Sequence, residues 1–259
     1  MKNKRAQITI FIIIGLVLLI SIILIFLLKS KIFPKIGGEE SEINPNDFLK
    51  TCLQSKVRDS VEILLSKGGY INNTLNKKFK FSGEGYNDIA YLCYTGKNYL
   101  PCINQEPMLI THLENETKDY ILKKVEGCFD SLALSLEDEA YVVDARYSGF
   151  NVSLKEGKVV IDIDAKLKLT KNEQTSNCEN FEVIIPSKIY DLALVVQEIT
   201  SQEAKYCHFE DTGYMVFYPT YKIKTIKTSD LIEIYSVLHK ESNENFRFAV
   251  RTCVIPPGI

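Results

Sequence analysis

From Ile8 to Leu28 the chain runs for 21 residues without a charge, and Thr9, Gly15 and Ser21 are its least apolar members. At about 1.5 Å per residue such a helix is roughly 31 Å long, about the hydrocarbon thickness of a bilayer. The pattern therefore predicts a transmembrane helix over 8–28, in contact with membrane lipid. The run is longer than a secretory h-region and no A-x-A site follows it, which favours a retained signal anchor. Residues 1–7 form a basic stub. Residues 29–43, with Pro34, Gly37-Gly38 and Glu39-Glu40-Ser41-Glu42, read as a juxtamembrane linker.

Beyond the linker the period changes. Asn44-Pro45-Asn46-Asp47 announces a helix: a capping side chain, a proline suited to the first turn and an acid at the positive end. Leu49, Leu53, Val57, Val61 and Leu64/Leu65 follow at helical spacing, and Gly68-Gly69 stops the run. A strand is expected around Phe79 and Phe81. Ile89–Tyr94 and Tyr99–Ile103 are expected to pair around Thr95-Gly96-Lys97-Asn98. A second helix is expected from Pro107 to Cys128, with Leu113, Thr117, Tyr120/Ile121, Lys124/Val125 and Cys128 inward.

From Ala140 the pattern is β. Candidate strands are Tyr141–Arg146, Phe150–Leu154, Val159–Leu169 and Phe181–Ile185. A third helix opens at Pro186-Ser187 and runs to about Thr200, with Ile189, Leu192, Ala193, Val196 and Ile199 on one face. Tyr214–Tyr218, Tyr221–Lys227, Leu231–Leu238 and Phe246–Val254 are read as closing strands. The expected fold is α+β, an N-terminal transmembrane helix followed by an antiparallel-sheet domain with about three packed helices. That domain covers 44–259, or splits in two near residue 135.

Cysteine placement changes the picture. All seven cysteines lie after the apolar run, with no C-x-x-C pair and no zinc spacing to His112, His208 or His239. Dispersed cysteines suit disulfides in an oxidising compartment. Cys93–Cys102, across a short turn, is the first expected pair. Cys52–Cys128, which meet if the first two helices pack antiparallel, is the second. Any pairing among Cys178, Cys207 and Cys253 is open. Asn72, Asn115 and Asn151 stand in N-x-[ST] sequons and are candidate glycosylation sites. Lys2, Lys4, Arg5 and the α-amino group before the helix barely outweigh Lys29, Lys31 and Lys35 after it. Cysteines and sequons, rather than charge, thus place the C-terminal domain outside the cytoplasm.

The chemical signals are few. Asp162 and Asp164 share a strand face, but Lys166 and Lys168 continue it, as on a solvated sheet surface. Cys207 and His208 are adjacent, and in a strand they would point to opposite faces. Gly83-Glu84-Gly85-Tyr86 lacks the third glycine of a dinucleotide loop and reads as a turn. No sequence motif for a hydrolase nucleophile, a P-loop or a zinc protease is present, and no catalytic, cofactor or metal residue is expected. The chain holds 31 basic and 33 acidic residues, and three of the basic ones precede the membrane run. The remainder is net acidic without a basic block, so nucleic acid is not an expected partner.

The start, Arg5-Ala6-Gln7-Ile8-Thr9-Ile10-Phe11 after a basic stub, resembles the class III leader of archaeal pilin-like proteins. That resemblance implies cleavage between Ala6 and Gln7 with the helix kept on the mature chain. Phe11 stands where such pilins carry a glutamate, so filament assembly is not implied. The longer pattern adds Leu64-Leu65-Ser66-Lys67-Gly68-Gly69-Tyr70-Ile71, Ile189-Tyr190-Asp191-Leu192-Ala193, Phe248-Ala249-Val250-Arg251 and Pro256-Pro257-Gly258. It is similar to uncharacterised single-pass surface proteins of DPANN-type archaea, a resemblance that carries topology and no activity. The expected function is a membrane-anchored surface module of adhesion or interaction, with a protein partner at the cell surface. The alternatives are a membrane-tethered hydrolase or thiol enzyme, and an accessory subunit of an envelope or secretion complex.

Overall fold

The computed structural model describes residues 43–253 together with Leu16 and Leu19. The leader site at Ala6–Gln7 and, apart from those two leucines, the apolar run 8–28 lie outside the described residues. No helix among the described residues is long and apolar enough to cross a membrane. Asn44–Ile259 forms one compact unit, separate from Met1–Ile43, with no division near 135.

Helix α1 (Pro45–Lys67) begins as its sequence dictates. The Asn44 side chain accepts from the Asn46 and Asp47 amides at 3.0 and 3.4 Å, and Pro45 occupies the first turn. It ends where Gly68 turns left-handed (φ 80°) and donates its amide to the Leu64 carbonyl. A side chain there would also meet Ala90, whose Cβ lies 3.0 Å from the position of an added Cβ. Leu49, Leu53, Val57, Val61, Leu64 and Leu65 are buried, as the helical spacing requires.

Helix α2 (Leu109–Asp138) is longer than expected, continuing ten residues past Cys128. It goes on because Phe129, Leu132 and Leu136 prolong the buried stripe that starts at Leu109 and Leu113. The two helices run antiparallel. Gly69 sits against Leu109 and Leu113 at one end, and Cys52 is bonded to Cys128 toward the other, with Cα atoms 5.9 Å apart.

Two sheets flank this pair. The mixed sheet is ordered β1 (Asn76–Lys80), β2 (Tyr86–Tyr94), β9 (Asn245–Arg251), β8 (Glu233–His239), β7 (Tyr221–Lys227), with β3 (Ile103–Asn104) also on β2. The β2–β9 pairing is parallel, a departure from the all-antiparallel expectation. It arises because β2 and β9 lie far apart in sequence and are joined through the rest of the fold rather than by a hairpin. The strand expected at Tyr99–Ile103 shrinks to β3, and Tyr99 and Leu100 are exposed in the connecting loop. Cys93–Cys102 closes that loop with Cα atoms 5.3 Å apart.

The second sheet is an antiparallel meander of β4 (Val142–Lys155), β5 (Lys158–Lys171) and β6 (Gln174–Pro186). The break read between Arg146 and Phe150 is a bulge at Tyr147/Gly149 within one strand. The β5–β6 hairpin turns on Asn172 and Glu173, both at positive φ as a type I′ turn needs. Helix α3 (Ile189–Tyr206) lies against β8 and β9, burying all five residues of its expected face.

The clearest correction is at Tyr214–Tyr218. This is not a strand but part of a short fourth helix, α4 (Asp211–Phe217). The Glu210 side chain caps it, accepting from the Gly213 amide at 3.4 Å, and Pro219 follows its end. Val254 lies outside the described residues.

The third disulfide joins Cys207, at the end of α3, to Cys253, with Cα atoms 5.6 Å apart, and leaves Cys178 as the free thiol. Alkylation of native protein without reduction should therefore label Cys178 alone, on peptide mapping. Labelling of any other cysteine would contradict these pairings. Gly68→Ala should cost about 1–3 kcal/mol in chemical denaturation, from the left-handed backbone and the Ala90 contact; an unchanged midpoint would show that the cap is free to shift.

Candidate functional site: a tyrosine cleft

A cleft of about 580 Å³ opens between α3, α4 and the start of β7. The α3 wall consists of Asp191, Leu194, Val195 and Glu198, an i, i+3, i+4, i+7 row along one helix face. Opposite stand Tyr214 on α4 and Tyr218, the residue that caps its end, with ring centroids 4.6 Å apart at 33°. Tyr221, the first residue of β7, closes the end, with His239 edge-on behind it at 5.7 Å. The four-residue spacing across the end of α4 sets the two rings next to each other on one wall. Phe209, buried beneath α4, holds Tyr214 in place at 5.4 Å.

The charge in the cleft is negative. Asp191 accepts from the Gly157 amide at 3.1 Å and lies 3.6 Å from Lys188. Glu198 accepts from Gln202 at 2.6 Å and has no cationic partner among the described residues. Burial, then Tyr218, Tyr221 and Glu198, push the Tyr214 hydroxyl up to about 12. Burial, then Asp191 and Glu156, raise that of Tyr221. Neither group ionises at neutral pH. Leu194 and Tyr218, which line the cleft, are exposed, and so are Val216 and Phe217 on the same short helix α4, Phe217 to 81 %. Patches of this kind mark interaction surfaces.

A larger cleft, about 830 Å³, lies where α1, the β4–β5 turn, the β6–α3 junction and the β8–β9 turn meet. Several of its charges hold these elements together. Glu244 accepts from the Ser187 hydroxyl at 2.8 Å and from the Lys188 amide, and so caps α3 from another element. Arg247 grips Glu84 through two bonds of 2.7 Å and lies over the Phe81 ring at 4.1 Å. Ser242 sits beside His239, with its hydroxyl 3.2 Å and its amide 3.3 Å from Nδ1. Glu244 contacts that serine rather than the far nitrogen of the ring. A nucleophile–base–acid relay needs the acid on the histidine; this arrangement ties a turn.

A buried polar chain runs beneath α4. Glu203 on α3 is completely buried, and the Tyr235 hydroxyl lies within hydrogen-bonding reach of its Oε1 and 3.0 Å from Glu233 Oε2. One phenol carries one hydrogen. Between two carboxyls it can donate to only one, and the other must carry a proton of its own. Burial raises the Glu203 carboxyl, which favours the proton there. Glu233 pairs with Lys227 at 2.7 Å.

The residues singled out in the sequence lie elsewhere. Asp162 and Asp164 are exposed beside Lys166 and Lys168 on the polar face of the meander, where Lys166 pairs with Glu179 at 3.3 Å. Cys207 is disulfide-bonded and offers no thiol to His208. Gly83 and Gly85 lie in the β1–β2 turn. Asn72, Asn115 and Asn151 are all exposed, although the sequon threonine Thr117 is buried and the Asn151 carbonyl accepts from Lys118 at 3.1 Å. The tyrosine cleft was not anticipated, because its α4 wall was read as a strand. The signal that points to it is Glu210-Asp211-Thr212-Gly213, an acidic helix start directly before the tyrosines.

Comparison with protein-family models, with curated proteins and with solved structures found no match to this chain.

The Glu203 proton sets a pH dependence. The folded carboxyl holds its proton at pH values where the unfolded chain has lost it, so this contribution to stability is complete below the ordinary glutamate range. It declines as pH rises through that range toward the raised folded value. Glu203→Gln should flatten this decline, read as urea midpoints between pH 4 and pH 8; an unchanged slope would place the proton elsewhere. Tyr235→Phe should cost about 1–3 kcal/mol at neutral pH, by leaving the buried Glu203 carboxyl without its hydroxyl partner.

Proposed function

We propose that this chain is a membrane-anchored surface protein whose α+β domain works outside the cytoplasm by binding a protein partner. Three disulfides support an oxidising, extracytoplasmic environment for the domain. The 8–28 run supplies the anchor, and cleavage between Ala6 and Gln7 would leave that anchor on the mature chain. The observation that carries the binding role is the exposure of Leu194 and Tyr218 in the tyrosine cleft and of Val216 and Phe217 on α4. Interfaces are enriched in aromatic side chains, and a surface so apolar costs solubility if it stays uncovered.

Two measurements on intact cells test this reading. A membrane-impermeant thiol reagent should label an introduced cysteine in Glu241→Cys without lysis; labelling only after lysis would put the domain on the other side. A photo-crosslinking amino acid at Phe217 should give a discrete adduct that the same group at Lys168, on the polar meander face, does not. Equal adducts at the two positions, or none at Phe217, would remove this face as the binding surface.

A further inference from the structure

We infer that the cleft between Tyr214, Tyr218 and Tyr221 is a binding site for an alkylammonium cation, the chemistry of a lysine side chain on the partner. This rests on the binding role proposed above and names what the cleft itself recognises.

Three features converge. First, the shape suits a stem with a charged head. A volume near 580 Å³ lies in the range of small-ligand sites, and Leu194 and Val195 offer apolar surface to a methylene chain. Second, the wall is aromatic. Cations are attracted to the faces of tyrosine rings within about 6 Å of the centroid, and here two rings stand side by side with a third at the end. Third, the charge is of the right sign, and that of Glu198 is not neutralised by an ion pair among the described residues. Glu198 is exposed, and Asp191 has Lys188 at 3.6 Å.

The groups facing the cleft from each neighbouring element agree. Helix α3 contributes Asp191 and Glu198, α4 and its C-cap contribute Tyr214 and Tyr218, β7 contributes Tyr221, and the β4–β5 turn brings Glu156 close enough to act on Tyr221. Lys188 and His239, on the far side of Asp191 and Tyr221, are the cationic and titratable groups nearby. The same carboxylates that oppose ionisation of the tyrosines would repel an anion and attract an ammonium group. Two sources present this cation: a free amine, and a lysine on a protein surface. Val216 and Phe217, exposed on the short helix that carries Tyr214, add apolar contact area that only a macromolecule fills.

The test uses the full-length chain in detergent micelles, with 13C-labelled tyrosine rings followed by NMR. The probes are 1,5-diaminopentane as the free amine, Nα-acetyl-lysine methylamide as the lysine side chain, and acetate and glucose as controls. Saturable shifts of the Tyr214 and Tyr218 rings are expected with both amines and with neither control. If the source is a lysine in a protein, the lysine amide should bind at least as tightly as the diamine, whereas tighter diamine binding favours a free amine. Glu198→Gln, at an exposed position that leaves the fold intact, should weaken binding by about threefold. Tyr214→Phe should retain binding and Tyr214→Leu should weaken it by about fivefold, because the ring face and not the hydroxyl holds the cation. Absence of saturable shifts with either amine, or equal shifts with glucose or acetate, would overturn the inference. If the Phe217 crosslink persists in that case, the surface role stands and the cation specificity alone falls; loss of both removes the cleft from function.

Discussion

Two sheets that share no hydrogen-bonded strand pair are held as one unit by the burial of a single antiparallel helix pair. Helix α1 packs against β2 and β9 of the mixed sheet and also reaches β6 of the meander, while α2 lies along β4. Their apolar stripes are fully withdrawn from water from Leu49 to Leu65 and from Leu109 to Leu136. Each buried leucine or valine contributes about 1.5–3 kcal/mol relative to exposure, so this seam outweighs any polar contact in the molecule. The Cys52–Cys128 bond lies within that seam and closes a loop with 76 residues of sequence separation, large enough for the chain-entropy effect to be near its upper range.

With the seam in place, the polar contacts between elements acquire their function. Glu244 reaches from the β8–β9 turn to cap α3, and Glu114 on α2 accepts from the Leu154 amide of β4 at 2.9 Å. Both carboxylates satisfy backbone donors that no local partner would. The orientation of α3 fixed in this way decides which of its residues face α4, and so decides that Asp191, Leu194, Val195 and Glu198 line a cleft rather than open surface. The Cys207–Cys253 bond holds the far end of α3 to the segment after β9, one turn beyond the buried Glu203. The structural chemistry is thus concentrated at the two ends of α3, and the tyrosine cleft lies between them.

Where the chain's own pattern is strongest, it needed nothing else. The cap at Asn44, the stop at Gly68, the stripe of α1 and the alternation of Ile161, Ile163, Ala165, Leu167 and Leu169 against charged neighbours are local periodicities, and the structure keeps them all. The pairing of Cys93 with Cys102 follows from a short turn. That of Cys52 with Cys128 follows from two amphipathic helices that must pack together. These features were legible because each depends on residues within one turn or on a face that has a single place to be buried.

What the tertiary structure alone decided is the parallel β2–β9 pair, the extension of α2, the Cys207–Cys253 bond and the helical state of Tyr214–Phe217. Each turns on long-range partners: β9 finds β2 across some 150 residues of sequence, and α2 continues because the meander gives Leu132 and Leu136 somewhere to be buried. A Tyr-Met-Val-Phe-Tyr run has β propensity of its own, and Phe209 beneath it and the cap from Glu210 override that preference. The cleft was hidden for this reason: its acidic and aromatic walls lie on separate elements, and only the packing of α4 beside α3 sets them face to face.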